Sequence, residues 1–127
     1  MVGSKQDGRG VRARPFFLAS AILPVLTQVA VRRGIDDVTV VVEGDHPMAY
    51  KIIPVDTFRL VMDLPRVRTG LTFPELIVDH KILKKIRIGQ HQDKLRLVFD
   101  LNLALMKDLK YGVKTRGNQV AVKLVKI

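Results

Sequence analysis

From residue 25 onward the chain alternates between short, β-branched-rich apolar runs and turn-forming clusters, a pattern that predicts strands rather than helices. Residues 29–33 run into Gly34, Asp36 and Asp37, with a first strand beginning near Val25. Residues 38–43 stop at Gly44-Asp-His-Pro47, residues 48–55 at Asp56 and Thr57, and residues 59–64 at Pro65. A longer link, 66–79, carries Gly70 and Pro74. Beyond it come 83–88, ended by Gly89, then 94–101, ended by Asn102, then 109–115, ended by Arg116-Gly-Asn118, and last 119–127. Eight strands are thus predicted, and only 102–109 reads partly helical, as a short helical turn or a loop.

Successive side chains on a strand point to opposite faces, so each run sorts its residues into two rows. Leu60, Met62 and Leu64 share one face, and Arg59, Val61 and Asp63 the other. Leu95, Leu97, Phe99 and Leu101 share one face, and Arg96, Val98 and Asp100 the other. In 83–88, Ile86 and Ile88 point inward while Lys85 and Arg87 point outward. Two separate strands therefore present the same outward row of Arg, Val and Asp. Within one strand the Arg and the Asp are ~13 Å apart, too far to neutralise each other. Such a row either forms cross-strand ion pairs on a solvated face, each contributing ~0.2–1 kcal/mol, or meets a ligand.

Four strands precede the long link and four follow it. Residues 38–43 sit in the first half where 95–100 sit in the second, and 59–64 correspond to 119–124. Two similar four-strand units predict an all-β fold of two packed, pseudo-symmetric four-stranded sheets, a β-sandwich.

The chain has 127 residues, the size of one domain, with 47% hydrophobic and 27% charged residues, which argues against wholesale disorder. Its formal net charge is +10. Residues 1–33 hold six basic residues and Asp7, and the remainder holds sixteen basic and eleven acidic residues, so each part carries +5. A basic body suits an anionic partner such as nucleic acid, an acidic membrane or an acidic cell-wall polymer, and it equally suits a solvated surface that serves solubility.

Residues 1–24 read as a basic leader, with Lys5, Arg9, Arg12 and Arg14 ahead of an apolar run. That order resembles a secretory signal peptide, and it equally suits an irregular lead-in to a β domain over 25–127. Pro24, Thr27 and Gln28 interrupt the run, so a transmembrane span, which needs ~20 apolar residues, is not expected.

Catalytic chemistry finds no foothold. With no Cys there are no disulfides, thiolate metal sites or Cys nucleophiles. Both serines, Ser4 and Ser20, lie in the leader, which argues against a Ser-His-Asp site. His46, His80 and His91 fall at turns without ligand spacing, and Gly8-Arg-Gly10 lacks the Gly-Lys-Ser/Thr of a phosphate loop. No enzyme activity, metal or cofactor is predicted.

Four motifs in order, Val38-Thr-Val-Val-Val-Glu-Gly44, Arg59-Leu-Val-Met-Asp-Leu-Pro65, Ile86-Arg-Ile-Gly-Gln90 and Arg96-Leu-Val-Phe-Asp-Leu101, resemble the AMIN domain over roughly four-fifths of the chain. That module stands at the front of periplasmic N-acetylmuramoyl-alanine amidases and of type IV pilus secretins. The resemblance implies a fold of two similar four-stranded sheets, a place in the periplasm or cell envelope, and peptidoglycan as partner, with secretin or pilus-assembly proteins as further partners. It points to Arg59, Asp63, Arg87, Gln90, Arg96 and Asp100 as peptidoglycan-binding residues. Arg would pair with stem-peptide carboxylates, and Asp and Gln would bond sugar hydroxyls and amides. Arg59 and Arg96 are expected to serve binding without being needed for the fold. Phe58 stands where the family often has Pro, and no amidase or secretin domain follows Ile127, so a stand-alone module or a fragment is expected.

Two other readings compete. The basic cluster Lys81, Lys84, Lys85 and Arg87 favours a nucleic-acid-binding β domain, but the aromatics that stack bases are scattered and Phe99 points inward. An assembly domain would offer an exposed strand edge to a pilus or secretin partner, a reading compatible with peptidoglycan binding.

Overall fold

A computed structural model describes residues 23–127, so the predicted basic leader lies outside the described residues up to residue 22. Ten strands follow in order: β1 (Val25–Arg33), β2 (Asp37–Gly44), β3 (Lys51–Asp56), β4 (Arg59–Pro65), β5 (Arg68–Thr69), β6 (Glu75–Ile77), β7 (Leu83–Gln90), β8 (Lys94–Leu101), β9 (Leu109–Arg116) and β10 (Gln119–Lys126). They form two five-stranded sheets. Sheet A has the order β5-β1-β2-β10-β9, and sheet B the order β3-β4-β8-β7-β6. The described residues contain no helix, and 102–108 is a loop with Met106 at φ 68°.

The all-β sandwich agrees with the sequence reading, and the allocation of strands to sheets refines it. The two halves of the chain do not each make a sheet. Each half donates one hairpin to sheet A (β1–β2, β9–β10) and one to sheet B (β3–β4, β7–β8). The central pairs are therefore inter-half contacts, β2 against β10 and β4 against β8, both antiparallel. The correspondences read from sequence survive this exchange. β2 holds in sheet A the position that β8 holds in sheet B, and β10 the position of β4.

The fifth strand of each sheet comes from the link. β5 adds to β1 in parallel over two residue pairs, and β6 adds to β7 over three. The third predicted strand begins at Lys51 rather than at residue 48. Residues 45–50 carry the chain from one sheet to the other, so their backbone joins neither ladder, and buried Met48 closes that end of the core.

The core is asymmetric in chemistry. Sheet A contributes mostly Val (Val38, Val40, Val42, Val120, Val122), and sheet B mostly longer side chains (Leu60, Met62, Leu95, Leu97, Phe99). All of these are at most 2% exposed. β-branched residues pack flat on one pleated surface while Leu, Met and Phe reach across the ~10 Å between sheets. Every residue assigned inward on β4 and β8 is buried, Phe99 included. The opposite rows of these strands form the outer face of sheet B.

Candidate functional site

Antiparallel register assembles the outer face of sheet B. Asp63 stands opposite Arg96, Val61 opposite Val98, and Arg59 opposite Asp100. On the other side of β8, Lys85 is level with Asp100 and Arg87 with Val98. The Arg and Asp rows of β4 and β8 run in opposite directions, so cations and carboxylates that are distant along one strand become neighbours across two.

Two bidentate pairs result. Arg96 donates from Nε to Asp63 Oδ1 at 2.7 Å and from Nη2 to Oδ2 at 3.0 Å. Arg87 donates from Nε to Asp100 Oδ2 at 2.7 Å and from Nη2 to Oδ1 at 2.8 Å. Lys94 Nζ lies 3.6 Å from Asp63. The Arg96 fork, helped by the charge of Lys94, holds the Asp63 carboxyl below its ordinary pKa against the opposing effect of burial. Asp100 in turn holds Arg87 above its ordinary pKa.

Arg59 takes a different partner from the one its register offers. Its Nε donates to Asp56 Oδ2 at 2.7 Å, and Asp56 Oδ1 accepts from the Phe58 amide at 2.9 Å. The two-residue turn Thr57-Phe58 is thereby fixed by an Asp side chain at its start, a common use of Asp in turns. Its carbonyls accept from the Leu101 and Leu105 amides, which dock the turn against the end of β8.

The six residues singled out from sequence thus fall into three groups. Arg59, Arg87 and Arg96 keep their charged ends partly open, with side chains 50%, 42% and 37% exposed. Asp63 and Asp100 point outward as their strands require but lie beneath the guanidinium groups, with side chains 9% and 18% exposed. Both oxygens of each carboxylate are engaged, so they orient the arginines. Gln90 lies apart from this array. Its Oε1 accepts from the Thr69 amide at 2.8 Å, and its Nε2 donates to the carbonyls of Val67, His91 and Lys94. Gln90 pins the link to the β7–β8 turn.

A concavity of about 550 Å³ opens at one end of this face. Its polar lining mixes the cations Arg59, Lys84 and Lys85 with the carboxylates of Asp56 and Asp100 and with Thr57 and Asn102, and Phe58, 49% exposed, is its aromatic wall. Arg59 is paired with Asp56, and Lys85 lies 3.5 Å from Glu75. Phe58, which lines the concavity, is not among the residues singled out from sequence, although an aromatic in a two-residue turn, where small or polar residues usually stand, was a legible signal. A bulge between Leu83 and Lys85 turns the neighbouring Lys84 to the rim. Among the described residues no group of His, Asp and Glu side chains could hold a metal ion.

The arrangement offers cations held by aspartates beside an apolar ring, which suits recognition of a carboxylate-bearing carbohydrate. The comparison with curated proteins gives no match. The AMIN domain family matches residues 28–124. AMIN domains are non-catalytic targeting modules of amidases and secretins that bind peptidoglycan. With the sandwich in place and the match covering nearly all of it, the chain belongs to the AMIN domain family.

Proposed function

We propose that this domain tethers an envelope protein to peptidoglycan through the outer face of sheet B, around the concavity between the Thr57-Phe58 turn and the end of β8. The observation that carries this reading is the placing of Arg59, Lys84 and Lys85 around exposed Phe58 in one concavity. Stem-peptide carboxylates would pair with the cations, and the apolar face of a sugar ring would lie on the Phe58 ring. Arg87 and Arg96 extend the cationic surface along the sheet, each held by its aspartate. The domain itself performs no reaction. Its host is an amidase or a type IV pilus secretin, and its compartment is the periplasm.

Sedimentation with purified, protein-free sacculi tests the reading. At ~0.15 M salt, where the Debye length is ~8 Å, the 127-residue chain should sediment with the wall. The double variant Phe58→Ala/Arg59→Ala should lose roughly tenfold in affinity, ~1.4 kcal/mol, with an unchanged thermal melt. Equal sedimentation of variant and parent would remove the concavity from consideration. Complete loss of parent binding at ~1 M salt, where screening acts over ~3 Å, would reduce the attraction to generic charge.

A further inference from the structure

The exchange of hairpins makes the two outer faces directly comparable, position by position. In sheet B the central pairs are Asp63 opposite Arg96 and Arg59 opposite Asp100. The equivalent pairs in sheet A are Lys123 opposite Thr39 and Gln119 opposite Glu43. A lysine thus replaces the buried aspartate, and a threonine replaces its arginine. Small residues, Ala121 and Gly112, stand beside them on β10 and β9.

The result is a shallow groove of about 470 Å³ on the outer face of sheet A, floored by Thr39, Ala121 and Gly112. Arg32, Lys110, Lys114 and Lys123 rim it. Among the described residues the only carboxylate paired with these four is Asp37, 3.8 Å from Lys123. Lysines on an edge strand such as β9 guard against strand pairing with another chain, but that accounts for neither Lys123 on central β10 nor Arg32 on β1.

We propose that this groove binds a linear phosphodiester chain that carries no nucleobases, a polyol phosphate. Three of the four cations are lysines, compact point charges that suit phosphate, whereas sheet B offers the planar arginine forks that suit carboxylates. Lys110 and Lys114 are ~13 Å apart along β9, so a chain lying along the strands meets one cation after another. Tyr111 borders the groove, but its register opposite Leu124 puts it on the inner row, packed against the core, so a nucleobase finds no stacking platform on the outer face. The floor is concave, and apart from Val125 the outward lining is polar, charged or small, which suits a chain seated in the groove more than a lipid surface. This site stands independently of the wall-binding reading for sheet B.

The test is titration of the 127-residue chain with a synthetic glycerol-phosphate oligomer, followed by calorimetry at two salt concentrations. Lys114→Gln/Lys123→Gln should weaken binding about tenfold at low salt and reduce the salt slope by ~0.7 per lysine removed. Gly112→Val supplies a variant without a charge change. A Cβ at Gly112 meets nothing within 4 Å, so the added side chain fills the groove without disturbing the fold. It should weaken binding and leave the salt slope unchanged. Arg59→Ala should bind as the parent does. The proposal is overturned if Gly112→Val binds normally, if Arg59→Ala costs as much as the lysine pair, or if random single-stranded DNA of equal charge binds more tightly.

Discussion

Asp63 and Arg96 form a pair whose two members see very different amounts of water. The carboxylate is 9% exposed and the guanidinium-bearing side chain 37% exposed. Removing one partner therefore does not mirror removing the other. Asp63→Ala leaves an arginine that can turn to solvent. Arg96→Ala leaves a covered carboxylate with only Lys94, at 3.6 Å, to compensate it. The urea midpoint should fall further for Arg96→Ala than for Asp63→Ala, at constant m-value. The reverse order would mean that Asp63 reaches water more easily than its cover allows. A lower midpoint for Arg96→Ala would give Arg96 a part in the fold, where the sequence-based expectation gives it binding alone.

The same pair sets a direction for pH dependence. The Asp63 pKa is lowered in the folded state by the Arg96 hydrogen bonds, from an ordinary value of 3.8. A depressed folded-state pKa contributes stability that is present above the unfolded value and is lost as pH falls through the folded one. Stability from this source should be flat from neutrality to about pH 5 and should decline below about pH 4. Asp63→Asn should flatten part of that acid slope in urea titrations at stepped pH. An acid slope identical in the variant and the parent would place the loss at other carboxylates.

Phe99 is fully buried at the centre of β8 and is the largest of the fully buried side chains. Phe99→Ala should cost ~3–5 kcal/mol, a large part of the ~5–15 kcal/mol that stabilises a typical domain. Chemical denaturation should show the shift, and a change under ~1 kcal/mol would indicate a core that collapses around the gap.

Gln90 supports the link through four hydrogen bonds to backbone groups. Gln90→Ala should release the Thr69 amide and open β5 locally while leaving the central strands closed. Amide hydrogen exchange at Thr69 should speed up well beyond that at Val98, with a global loss of only about 1–3 kcal/mol. Uniform acceleration across both sheets would instead make Gln90 a determinant of the whole fold.

The alternation along 59–64 and 95–101 was enough to sort inward from outward residues, because a period of two leaves a strand only two choices. The sheet to which each hairpin belongs was not legible, since all four hairpins carry one apolar row and either sheet can accept it. β5 and β6, of two and three residues, are too short to leave a periodic trace. In the candidate site, the outward direction of Arg59, Arg87 and Arg96 could be read. Their partners could not, because the Asp63–Arg96 and Asp100–Arg87 pairs depend on register between strands 33 and 13 positions apart. Gln90 sat in a recognisable motif, but its four bonds lead to backbone groups that no side-chain pattern reveals.

Because every sheet draws a hairpin from each half, neither half can close a core by itself. Cut at the link, each piece would expose two apolar hairpin faces that only another such piece could cover. The sandwich has the form of an interlocked pair of four-strand protomers joined end to end, and its link converts a concentration-dependent association into an intramolecular one. Folding must then wait for the distant halves to meet before either sheet gains its centre, which places the domain among the slow folders of its size.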